Sequence, residues 1–223
     1  MPEYWPQRRF TRYPIVLPLL HRGRGPAPVP TGAGWTCDLS GGGARLRLAE
    51  QFRPQDSLSL RFQTDCGPIE GDAQVVWGGN PDPDGGGIQH GVAFTHLPPD
   101  QLQPLRGILT SQKPWWHARD RLPVEVPMTC RLQRRPGPAL QGRTRNISRG
   151  GLLLLLPQVL SPGAALEVTL HTPAGSLAAA GTIVWADPRG RQLPGKLTKH
   201  GLRFTALTWS TSLALARFLA ERR

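Results

Sequence analysis

The sequence predicts an all-β protein: two small antiparallel barrels or sandwiches in tandem, each ending in a short C-terminal helix. Three observations predict this. Glycine and proline together supply 50 of the 223 residues (26 and 24), which favours turns and short strands over long helices. Short segments alternate polar and apolar residues at period two, recurring every 8–12 residues or so. The order of those segments then repeats once along the chain.

In the first half, Arg8-Arg9-Phe10-Thr11-Arg12-Tyr13-Pro14 leads into an extended apolar segment that Pro14 biases away from helix. Residues 23–34 read as a Gly/Pro-rich loop, and Asp38-Leu39-Ser40-Gly41-Gly42-Gly43 as a tight polar turn. Strands are expected over residues 44–48, 57–62, 72–77 and 88–94, with a loop over residues 78–87. Residues 101–109 have helical spacing, with Asp100 as N-cap. The second half repeats the programme. Arg121-Leu122-Pro123 answers Arg12-Tyr13-Pro14, Asn146-Ile147-Ser148 answers Asp38-Leu39-Ser40, and Trp185 answers Trp77. His200-Gly201-Leu202-Arg203-Phe204 answers His90-Gly91-Val92-Ala93-Phe94, and residues 210–219 form the final helix. Five features in one order at one offset make a tandem duplication, with domains at residues 1–112 and 113–223.

Composition narrows the function. The net charge of +12 is lopsided: residues 1–110 hold 10 Lys/Arg and 10 Asp/Glu, whereas residues 111–223 hold 17 and 5. Attraction to polyanions therefore belongs to the second half. No run of about 18 apolar residues offers a membrane span. Tyr4, Trp5 and Pro6 precede the arginines, unlike a secretory leader. Cys37, Cys66 and Cys130 are an odd count without metal-ligand spacing, so a reduced, cytoplasmic setting is expected. No nucleophile elbow, phosphate loop or zinc motif is present, and no catalytic residue or metal ligand is assigned. His90 and His200 stand at equivalent strand starts and read as positional residues of the fold.

Arginine presents a planar fork suited to phosphate oxygens and to the O6/N7 edge of guanine. Arg8 and Arg12 lie four apart on the N-terminal segment. The Asp38 carboxylate can accept from guanine N–H groups, Ser40 bonds either way, and glycines admit a phosphate to backbone N–H groups. Together they suit a guanine nucleotide, although each turn alone is also a plain structural bend.

An R-x-x-x-R segment, a (D/N)-x-S-x-x-G turn about 26 residues on, and strands ending in V-V-W and G-V-x-F resemble the PilZ domain family. The resemblance covers nearly the whole chain, twice. It implies six-stranded antiparallel barrels with C-terminal helices that bind the bacterial second messenger cyclic di-GMP, without a further cofactor. It assigns Arg8 and Arg12 to the arginine motif and Asp38, Ser40 and Gly43 to the turn, with Arg9 as an added phosphate contact. The resemblance also implies that the N-terminal arginines close over the dinucleotide on binding. The second copy keeps Arg121, Asn146, Ser148 and Gly151 as a possible second site but has His117 where Arg8 stands, and Asp120 adds a charge hostile to phosphate. The expectation is that the first domain senses and the second responds, through an unnamed downstream protein. Trp115 and Trp116 are candidates to report on ligand, or plain linker anchors. Two other readings stay open. One is a nucleic-acid or anionic-surface module built on Arg131, Arg134, Arg135, Arg143, Arg145 and Arg149; the other is a ligand-free scaffold.

Overall fold

The computed structural model describes residues 10–25, 30–83, 85–110, 121–133, 137–187 and 197–222. The chain divides into two compact units, residues 1–119 and residues 120–222. In the first, strands β1 (Pro18–Arg24), β2 (Thr31–Ser40), β3 (Gly43–Leu48), β4 (Ser57–Thr64), β5 (Gly67–Pro81) and β6 (Ile88–His96) precede helix α1 (Pro99–Thr110). In the second, β7 (Pro127–Leu132), β8 (Leu140–Ser148), β9 (Gly151–Leu156), β10 (Ala165–Thr172), β11 (Gly175–Asp187) and β12 (Thr198–Ala206) precede α2 (Trp209–Ala220). Each set closes into a six-stranded antiparallel barrel, in the order β1-β2-β3-β6-β5-β4 and its counterpart β7-β8-β9-β12-β11-β10. Closure settles the choice between barrel and sandwich.

Alternation builds the strands as expected. In β3, Ala44, Leu46 and Leu48 point inward while Arg45 and Arg47 point out. Leu58, Leu60 and Phe62 of β4 face the same interior, which α1 plugs with Leu105 and Leu109. In the second unit α2 buries Leu215, Phe218 and Leu219, and Thr208 caps it by accepting from the Thr211 N–H.

Three expectations are corrected. The loop expected over residues 23–34 gives way to strand at both ends, because β1 runs to Arg24 and β2 begins at Thr31. Gly34 sits where a side chain would strike the Arg47 carbonyl, so its glycine serves close strand approach. The loop expected over residues 78–87 shrinks because β5 continues to Pro81 through register shifts against β6. Asp100 does not cap α1: the helix starts at Pro99, which suits a first helical position, and Asp100 lies in the first turn.

The equivalent histidines are structural. His90 Nε2 accepts from the Phe52 N–H at 3.0 Å, and His200 Nε2 accepts from the Leu160 N–H at 3.0 Å. Both rings are fully buried, and burial lowers each pKa below its ordinary value, against an opposing backbone bond to Ile88 or Thr198. The first barrel adds His21, whose Nε2 lies 2.9 Å from Glu50 Oε2. Burial opposes the Glu50 charge, but the bond to His21 and its field outweigh this and lower the carboxyl pKa.

Candidate functional site

A buried threonine places the first arginine. Thr36 Oγ1 accepts from the Leu17 N–H at 2.8 Å and donates to the Ile15 carbonyl at 2.6 Å, tying the segment before β1 to β2. Immediately upstream, Tyr13 and Leu39 exchange backbone hydrogen bonds, both at 2.9 Å. A bulge between Thr36 and Asp38 turns the end of β2. Arg12, next to the tied Tyr13, is thereby delivered beside Asp38, and its Nη1 donates to Asp38 Oδ1 at 3.1 Å. The other carboxylate oxygen, Oδ2, lies 2.8 Å from Nε of Arg45 on β3.

The polar turn is a β-hairpin. Ser40 ends β2, Gly41 and Gly42 form the bend, and Gly43 begins β3. Ser40 Oγ donates to the Gly43 carbonyl at 2.9 Å. Gly43 does not have positive φ; its glycine is required because a side chain would run into the Val92 carbonyl on β6. Arg12, Ser40, Gly42 and Gly43 line a cleft of about 230 Å³ with Phe10, Val76, Trp77 and Gly91. Asp38 is not among the lining residues: its carboxylate is taken up by Arg12 and Arg45. Arg8 and Arg9 lie outside the described residues.

Three participants were not assigned to the site from sequence. Phe10 covers the Gly41-Gly42 bend, where a side chain at Gly42 would meet its ring. The Trp77 indole lies across Gly91, which has no Cβ to hold it off, and Trp77 remains 40% exposed. Arg45 sits opposite Asp38 in one register and opposite Gly91 in the next, so Asp38, Arg45, Gly91 and Trp77 form one transverse row. The repeated V-V-W and H-G-V-x-F segments already held the signal for Trp77 against Gly91.

The second barrel rebuilds the same frame with different chemistry. Thr144 Oγ1 accepts from the Val126 N–H at 2.9 Å and donates to the Val124 carbonyl at 2.6 Å, and Leu122 bridges Ile147. Arg121 Nη1 donates to Asn146 Oδ1 at 3.3 Å, and Ser148 Oγ donates to the Gly151 carbonyl at 3.2 Å. Its transverse row is Asn146, Leu153, Gly201 and Trp185, so an amide replaces the carboxylate and a leucine replaces Arg45. Trp185 lies across Gly201 and is 43% exposed. His117, Asp120, Trp115, Trp116, Arg134 and Arg135 lie outside the described residues. Of the basic cluster, Arg143 pairs with Glu125 at 2.8 Å and Arg145 reaches the same carboxylate at 4.0 Å.

Among the described residues no group of three or more His, Cys, Asp or Glu is placed to hold a metal ion, and no helix is long and apolar enough to cross a membrane. The PilZ domain model matches residues 6–111 and again residues 117–221. Solved structures similar to the chain include the Bacillus subtilis inhibitor of motility MotI/DgrA, 12% identical over 92% of this chain and 94% of that one, with a TM-score of 0.38. K. pneumonia MrkH is 14% identical over 90% of this chain and 83% of that one, with a TM-score of 0.39. The Borreliella burgdorferi PlzA protein in complex with c-di-GMP is 11% identical over 92% and 88%, with a TM-score of 0.36. No curated protein matches the chain.

Proposed function

The chain belongs to the PilZ domain family, matched once in each half, and on that premise we propose that it is a cyclic di-GMP receptor whose first domain binds the messenger. The observation that carries this reading is the meeting of Arg12 and Asp38, 26 residues apart, beside a cleft lined by Ser40 and Gly43. An arginine fork answers guanine O6/N7 or phosphate, and a carboxylate answers the guanine N–H donors. Each group has capacity beyond its present bond. The cleft is smaller than the ~300–1,000 Å³ of a typical small-molecule pocket. Arg8 and Arg9, assigned to the ligand by the resemblance to the family, add further contacts to the dinucleotide beyond this cleft. Charge-assisted bonds from the arginines to the ligand are each worth roughly 1.5–3 kcal/mol.

The protein acts as a binding relay, and the second domain is the responder. What supports this is the departure of its site, with an amide for the carboxylate and Leu153 for Arg45, together with the excess positive charge of residues 111–223. Calorimetric titration of the full chain with cyclic di-GMP tests the assignment. Arg12→Ala is expected to abolish binding and Arg121→Ala to leave most of it. Equal losses would refute the division of labour. Indifference to the dinucleotide, with steeply salt-dependent binding to nucleic acid, would favour the basic-module reading instead.

A further inference from the structure

Asp38 poses a problem that the first domain solves and the second avoids. Its side chain is only 14% exposed, and both oxygens are neutralised, one by Arg12 and one by Arg45. The two arginines are not held alike. Arg12 stands ahead of β1, outside the strands of the barrel, and lines the cleft. Arg45 stands within β3, paired on both sides by β2 and β6, and its place is fixed by the barrel. For Arg12 to turn its fork to a ligand it must loosen its hold on Asp38. A partly buried carboxylate losing its only counter-ion would resist that, because breaking such a pair leaves an uncompensated charge.

We infer that Arg45 is a positioning residue of the site: it keeps the Asp38 carboxylate neutralised and oriented, so that Arg12 is released to the ligand. The inference rests on the cyclic di-GMP reading of the first domain. The duplicated barrel supplies an internal control. Asn146, which is neutral, replaces Asp38, and the residue facing it across the strands is Leu153 in place of Arg45. Carboxylate and second cation occur together in one copy and are both missing from the other, while the first arginine persists in each as Arg12 and Arg121. A general surface role for Arg45 does not predict that linkage. A counter-ion role does.

The test uses the full chain, cyclic di-GMP and two variants, with thermal melting as a check on folding. Arg45→Leu is expected to weaken binding on the order of tenfold, because Arg12 becomes the sole partner of Asp38 and is held there. Arg45→Lys keeps a cation facing Asp38 and is expected to bind more tightly than Arg45→Leu, although a lysine lacks the guanidinium fork. Binding by Arg45→Leu within about twofold of the unaltered chain would overturn the inference while leaving the receptor reading intact. An Arg45→Lys variant no tighter than Arg45→Leu would overturn it too, since the positive charge at residue 45 would then not be what binding depends on. An unaltered chain that fails to bind would refute the receptor reading itself, a result distinct from either of these.

Discussion

Replacing Thr36 by Val keeps the shape of a fully buried side chain and removes only its hydroxyl. Two hydrogen bonds go with it, the 2.8 Å bond from the Leu17 N–H and the 2.6 Å bond to the Ile15 carbonyl. Losing a net hydrogen bond costs about 1 kcal/mol, and stranding a buried backbone N–H costs a further ~1–3 kcal/mol. The expected destabilisation is therefore about 2–4 kcal/mol, a large share of the roughly 5–15 kcal/mol that holds a typical domain. It should fall on the first barrel alone. Urea unfolding followed by hydrogen-exchange mass spectrometry reads the two barrels separately and avoids assuming a single transition for a two-domain chain. Thr36 also ties down the segment that delivers Arg12, so the same substitution should weaken cyclic di-GMP binding. Thr144→Val should destabilise the second barrel by a similar amount and leave the affinity unchanged. A Thr36→Val loss below about 0.5 kcal/mol, or an equal loss in both barrels, would refute the claim that this hydroxyl anchors the arginine segment.

Gly43→Ala places a methyl group against the Val92 carbonyl, a backbone atom with little room to yield, and should cost about 1–3 kcal/mol. Gly150→Ala in the other hairpin bend meets open space and should stay within about 0.5 kcal/mol, as urea midpoints would show. Stability should also fall with acid. His90 and His200 have folded pKa values pushed by burial below the ordinary 6.5, so just below that pH the unfolded chain binds more protons than the folded one. Their contribution is fully present above pH 6.5 and is lost as the pH falls through the folded values; Glu50 adds a further loss only below its ordinary 4.5. Urea midpoints that do not change between about pH 7.5 and about pH 5.5 would contradict this.

The barrels were legible in the sequence because their strands alternate and because the alternation occurs twice. The motifs named Arg12 and Asp38 only as two sides of a ligand site; their direct bond, repeated by Arg121 and Asn146, depends on how the segment before β1 packs on β2 and was not legible. Thr36 and Thr144 escaped notice because a lone threonine in a strand looks like a surface residue, and only the tertiary fold shows each buried against an incoming segment. The long β5 was hidden by Gly78, Gly79, Asn80 and Pro81, residues that ordinarily mark a loop but here continue past β6 through irregular register. Arg45 was hidden by its pattern. An arginine alternating with leucines reads as the solvent face of a strand, and nothing local reveals that it faces Asp38 across the hairpin.

Parallel titrations of the unaltered chain with cyclic di-GMP and cyclic di-AMP bear most directly on the central claim. The two ligands share a phosphate ring, but only guanine offers N–H donors to Asp38 together with the O6/N7 edge to Arg12. Saturable binding of the guanine compound and none of the adenine compound is the expected result. Equal affinity for both, or heat from neither, would contradict it.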